Sequence, residues 1–205
     1  MDGIPPITAL QAKVTVRSAL AQNCAANPEA TRSRANLFGF FFNDGSSTGP
    51  TDFTGDIIAG ITVERNSKTG DRIVAFLNRC DTAACVFSTN LVAAVFTRTW
   101  TLGIAQLLTV VWQPANNRFV YTVSGGGLAT ETRILTYTQP DAALPRLFLK
   151  ELRVANTVPN CTAGRRVAAI DALFDSVAIN ANAVPAAALS AEGAEEAEGQ
   201  DPDGG

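Results

Sequence analysis

The chain has 205 residues, of which 46% are hydrophobic and 17% charged, and it contains no histidine. One domain, or one domain with a tail, fits that length, and the missing imidazole excludes Ser-His-Asp and Cys-His nucleophiles, histidine-ligated zinc or haem, and a histidine pH switch. The net charge of −3 conceals a split: Glu192, Glu195, Glu196, Glu198, Asp201 and Asp203 lie near the C-terminal end with no base among them, so residues 1–191 carry +3, thirteen acids against 16 Lys and Arg.

Taken in chain order, the apolar pattern is strand-like. Leu10, Ala12, Val14 and Val16 alternate with Gln11, Lys13, Thr15 and Arg17, as a half-buried strand requires. Residues 36–43 are an aromatic run in which Phe38, Phe40 and Phe42 fall on one strand face and Phe41 on the other, predicting a strand buried on both sides. The Asp-, Ser- and Gly-rich stretch 44–50 is loop chemistry. Strands are predicted at 57–64 and 72–79 around a turn at 66–70, at 104–112 and 118–124 around a turn at 113–117, and at 132–138 after Gly125-Gly126-Gly127. The runs 86–96, 146–155 and 172–180 complete the set. Roughly ten short strands with frequent turn signals predict an all-β, two-sheet antiparallel β-sandwich (jelly roll) over residues 1–180. From residue 181 the composition becomes Ala/Pro-rich and then acidic, so 181–205 reads as a flexible C-terminal linker and tail.

Four cysteines make an even count. Cys80 and Cys85 bracket four residues between two apolar runs, which predicts that they face each other across a hairpin neck and bond; Cys24 then pairs with Cys161 by elimination. Four reduced thiols, or a four-thiolate zinc site, are the competing readings, and zinc usually takes two close pairs where this chain has one. Disulfides imply an oxidising compartment, hence a secreted, cell-surface or periplasmic protein. Residues 1–6 have neither the basic nor the apolar region of an export signal, so the expectation is a mature or trimmed chain. The longest uncharged stretch of the body, 99–117, holds Gly103, Gln106, Gln113 and Pro114 and predicts no membrane span. Arginines are scattered without a basic run, which argues against nucleic acid.

The segment from Leu108 through Trp112 and Pro114 to Tyr121 resembles the strand-hairpin-strand of concanavalin A-like (laminin G-like) jelly rolls, and Phe174-Asp175-Ser176-Val177 is similar to their closing strand. The resemblance covers roughly residues 7–180. It implies a lectin-like, adhesive, glycan-binding or glycoside-cleaving domain, a spread from which fold alone does not choose. Retaining glucanases of that superfamily carry E-x-D-x-x-E, so that two carboxyls stand about 5 to 5.5 Å apart. No such motif occurs here. Asp171 and Asp175 are separated by about 13 Å along a strand, and Glu64, Glu131 and Glu151 stand beside Arg65, Arg133 and Arg153 as expected of surface ion pairs. The chain is therefore read as a non-enzyme.

Asn43, Asp44, Asp52 and Asp56 crowd one loop and form the candidate calcium site, since calcium takes six to eight oxygens. The competing reading is that such residues build Asx turns. Trp100, in a polar context, with Phe53 and Asp44, is the candidate ligand-binding set, a ring for stacking beside polar groups. Gly125-Gly126-Gly127 lacks the context of a phosphate loop, and Asn160-Cys161-Thr162 fits a glycosylation acceptor only formally. Three functions compete. One is a non-catalytic extracellular module that binds glycans or a partner protein at the cell surface. The second is a structural subunit of a bacterial surface layer or filament, a homo-oligomer assembled by edge pairing of the strand at residues 7–17 or by the Ala-rich tail. The third is an enzyme with an unrecognised pair of carboxylates.

Overall fold

The computed structural model describes residues 7–162 and 164–180. The predicted tail at 181–205 lies outside those residues. Ten antiparallel strands form two sheets: β1 (Ala9–Ala21), β2 (Arg32–Asn43), β3 (Asp56–Asn66), β4 (Gly70–Cys80), β5 (Ser88–Val95), β6 (Gln106–Gln113), β7 (Arg118–Gly125), β8 (Leu128–Thr136), β9 (Lys150–Thr157) and β10 (Ala168–Ile179). One sheet runs β10-β1-β6-β7-β8 and the other β5-β4-β3-β2-β9. The all-β, two-sheet reading is what the structure has.

The chain changes sheet four times, between β1 and β2, β5 and β6, β8 and β9, and β9 and β10. Elsewhere it runs as tight meanders. Asn117 at φ 47° closes the β6–β7 turn after a short 3-10 segment, Pro114–Asn116, and the left-handed Gly125, Gly126 and Gly127 close the β7–β8 hairpin, conformations an L side chain rarely adopts.

Three expectations are corrected. β1 is no edge: β10 and β6 pair with it on either side, so its backbone groups are already bonded and assembly by pairing through residues 7–17 has no free partner face. A register shift lies between Phe40 and Phe42, a bulge that turns Phe42 to the same side as Phe41 instead of that of Phe38 and Phe40. Cys80 faces Ser88 across the β4–β5 ladder, and Cys85 stands in the turn at φ 51° instead of opposite Cys80.

Between the sheets lies an aromatic stack. The Phe41 ring meets Phe119 edge-on at 5.0 Å, and Phe42 stacks on Trp112 at 5.4 Å and tilts against Tyr137 at 4.8 Å. Each polar aromatic finds a partner: Trp112 Nε1 donates to Tyr137 Oη, Trp100 Nε1 to the Glu64 carbonyl, and the Tyr121 hydroxyl to the Phe76 carbonyl in the opposite sheet. Burying these rings without such bonds would leave polar atoms unsatisfied at a cost of about 1–3 kcal/mol each.

Both disulfides are present and no free cysteine remains among the described residues. Cys80–Cys85 clips the β4–β5 turn, whereas Cys24–Cys161, 137 residues apart in sequence, joins the β1–β2 crossover to the β9–β10 crossover. Replacing Cys24 and Cys161 together with serine is expected to lower stability by about 2–5 kcal/mol, read as a shifted urea midpoint; removing Cys80 and Cys85 should cost less, because the loop it closes is short.

Candidate binding cleft

The outer face of the β5-β4-β3-β2-β9 sheet is a cleft of about 700 Å³. Strand alternation builds it, and the register arranges its side chains in rungs. Arg34 of β2 stands opposite Glu64 of β3, which stands opposite Arg72 of β4. The next rung is Arg153, Asn36, Thr62 and Val74. Then come Glu151, Phe38, Gly60 and Phe76, and last Phe40, Ile58 and Asn78. One end of the cleft is therefore cationic and the other apolar.

At the cationic end Arg72 donates through Nε to the buried Glu64 carboxylate. Arg34 donates to Thr157 Oγ1 at 2.6 Å, and burial pulls its pKa below the ordinary arginine value while Glu64 opposes that shift. Its Nε is buried with no hydrogen-bond partner. Arg153 lies over the Phe38 ring at 4.9 Å, a cation–π contact, and makes a loose 3.6 Å ion pair with Glu151. Between them Thr62 Oγ1 donates to Asn36 Oδ1 at 2.7 Å.

The apolar end is a second, smaller core. Phe38, Phe40, Ile58 and Cys80 are buried on this outward side, with Phe76, Cys85 and Leu147 against them. The disulfide turn and the segment before β9 form its walls, and Val86, Phe87 and Phe148 stand exposed nearby. Gly60 makes the floor possible, because a Cβ there would come within 2.5 Å of Phe38 Cβ and 2.6 Å of Phe76 Cζ.

The loop residues singled out in the sequence behave as turn builders. Asn43 Nδ2 donates to Asp56 Oδ1 at 2.7 Å, and Asp56 accepts the backbone N–H groups of Arg146 and Leu147. Asp44 accepts from Arg79 Nε and from the Ser46 N–H; burial raises its pKa, but these bonds outweigh it and hold the carboxyl low. Hydrogen bonds from Thr54 and Thr48 hold Asp52 well below the ordinary carboxylate range. These groups are committed to backbone and arginine, and among the described residues no three His, Cys, Asp or Glu side chains converge as a metal site. The residues expected to hold calcium, Asn43, Asp44, Asp52 and Asp56, thus serve as turn builders here.

Trp100 is 4% exposed and packed in the core beneath the Arg65 guanidinium, so it offers no face for stacking. Its polar neighbours misled: Arg98 is itself buried, donating to the carbonyls of Val123, Ala129 and Gly125 and to Gln106 Oε1. Phe53 and Asp44 sit in the 44–56 loop, and neither lines the cleft. Of the acids, Glu131 and Glu151 pair with Arg133 and Arg153 as expected; Glu64 instead pairs across strands with Arg72, and Arg65 with Asp71 at 2.6 Å. Asp175 pairs with Lys13 at 3.8 Å.

Sequence reasoning missed the cleft. Starting β2 at Asn36 omitted Arg32 and Arg34, which continue the parity of Asn36, Phe38 and Phe40 on one face. That alternation of Arg with Ser33 and Ala35 was the available signal. No protein-family model matches the chain, nor does any curated protein or solved structure. Among the described residues no helix is long and apolar enough to cross a membrane.

Two measurements follow from this geometry. Gly60→Ala should destabilise the protein by about 1–3 kcal/mol through overpacking, with Phe76→Leu in the same chain partly restoring the urea midpoint. Lys150 donates to the Phe40 carbonyl and lies over Phe41, and burial brings its pKa down to about 8 although Asp56 opposes this. Between pH 8 and about 10.4, the unfolded-chain value, the unfolded state holds more protons, so Lys150 adds stability as pH rises. Urea titrations at pH 7.5 and 9.5 should show the wild type gaining stability relative to Lys150→Met.

Proposed function

We propose that this protein is an exported, non-catalytic recognition module that holds an extended glycan along the outer face of the β5-β4-β3-β2-β9 sheet. The observation that carries the reading is the cleft itself: a solvent-facing sheet surface that combines the partly exposed Phe76 ring, set on the buried Phe38 and Phe40, with arginines and the Asn78–Asn90 amide pair. Polymer recognition calls for that mixture, apolar faces for sugar rings beside groups that bond hydroxyls. Two disulfides support an oxidising compartment and therefore the cell surface or exterior. The non-catalytic part rests on the acids, since Glu64 and Glu151 in the cleft are each paired with arginine. The resemblance of the β6–β7 and β10 segments to concanavalin A-like domains points the same way.

A glycan array run with and without calcium tests the proposal. Binding should be seen in both conditions, and Phe76→Ala should weaken it at least about tenfold while leaving the melting temperature within a few degrees. An array on which the wild-type chain retains no saccharide sinks the reading.

A further inference from the structure

The charge of the cleft is neither balanced nor evenly spread. Arg32, Arg34, Arg72 and Arg153 line it against Glu64 and Glu151, leaving two positive charges, most of the +3 carried by residues 1–191. Glu64 is taken up by Arg72, which it accepts at close range on the next strand. The remaining cations gather on β2 and β9: Arg32 and Arg34 are two apart on the same face, and Arg153 stands opposite Asn36 on the adjoining strand. Arg34 is the diagonal neighbour of Arg153, about 7 to 8 Å away, and has Arg32 about 7 Å along its own strand, so Arg32 and Arg153 flank it and long guanidinium arms can reach one anionic substituent there. Nothing charged lines the far end, where Phe40, Ile58, Phe76 and Leu147 meet.

Two details fit these arginines to an external partner. Arg34 is anchored at Thr157 yet keeps a buried Nε without an acceptor. Arg153 is held over Phe38 at 4.9 Å, with its side chain 54% exposed and only a 3.6 Å contact to Glu151. A guanidinium held by a ring contact loses less freedom when it bonds an anion, and its planar fork matches carboxylate or sulfate oxygens.

Resting on the glycan reading above, we propose that the cleft is selective for acidic glycans, with a carboxylate or sulfate group held at Arg34 between Arg32 and Arg153 and the adjoining sugar laid against the partly exposed Phe76 ring. Titration calorimetry of the full chain with three probes tests this: a galacturonate hexamer carrying only carboxylates, a carrageenan hexasaccharide carrying only sulfates, and neutral cellohexaose. One acidic probe or both should bind at least about tenfold more tightly than cellohexaose, and the two arms identify which anion is preferred. Arg153→Gln and Arg32→Gln should each weaken the acidic probe about tenfold or more, as loss of a hydrogen bond to a charged group does. Arg17→Gln, on the exposed part of β1, should leave it unchanged. Raising the salt from about 50 to 500 mM should weaken the acidic probe more than the neutral one. Equal affinity for cellohexaose, or acidic binding indifferent to both cleft arginines, overturns the selectivity and leaves the glycan reading standing; failure of all three probes and of the array overturns both.

Discussion

Everything on both sides of the second sheet depends on how β2 distributes four phenylalanines. A regular strand would place Phe42 with Phe38 and Phe40 on the outer surface and leave only Phe41 inside. The bulge at Phe41 reverses this at one residue, sending Phe41 and Phe42 into the stack with Trp112, Phe119 and Tyr137. Phe38 and Phe40 stay outside to build the cleft floor. Two neighbouring residues on one face enlarge the inter-sheet core at that end, and the register shift takes one phenylalanine off the outer face. The bulge thus sets how the four rings divide between core and cleft.

A strand with a packed surface on each side also explains why the outer face is so deeply covered. Asn36, Thr62 and Glu64 are buried although they point away from the main core. They are tolerated because each is bonded, Thr62 to Asn36 and Glu64 to Arg72. Arg98 obeys the same rule on the other sheet, where it closes the β7–β8 hairpin by donating to three carbonyls, while Glu131 accepts the N–H groups of Thr97 and Arg98. Asn36, Thr62 and Glu64 are satisfied by side chains of neighbouring strands, and Arg98 by carbonyls at a strand end.

The sequence made the strands readable and hid the surfaces. Apolar runs bounded by turn signals located all ten strands, and the even cysteine count led to both bridges. The position of Cys85 was not readable, since a left-handed turn residue and a ladder partner look alike at a spacing of five. Nor was the bulge, because a register shift changes which face a side chain takes without changing composition. The candidate site suffered most. Asn43, Asp44, Asp52 and Asp56 drew attention through their density, yet density of Asp and Asn is what turn formation also produces. Trp100 looked wet because Arg98 and two threonines flank it, and the burial of Arg98 removed that clue. Arg32 and Arg34 show only a short local alternation, and Arg72 and Arg153, far from them in the chain, join them only through strand order, which no local window displays.

The Cys24–Cys161 bridge has a mechanical meaning as well. Leu10 pairs with Ile179 and Ala21 with Ala168, so residues 7 and 180 leave the sandwich at the same end of adjacent antiparallel strands. A load applied between them peels β10 from β1 one pair at a time, the weak direction for a sheet. The peeling stops at the covalent link between the two crossovers. All of the cleft-bearing sheet and the β6–β7–β8 meander lie between the bridged cysteines in sequence. The bridge thus works as a strain-relief clamp, letting β1 and β10 yield under tension while the covalent path bypasses the chain that forms the cleft.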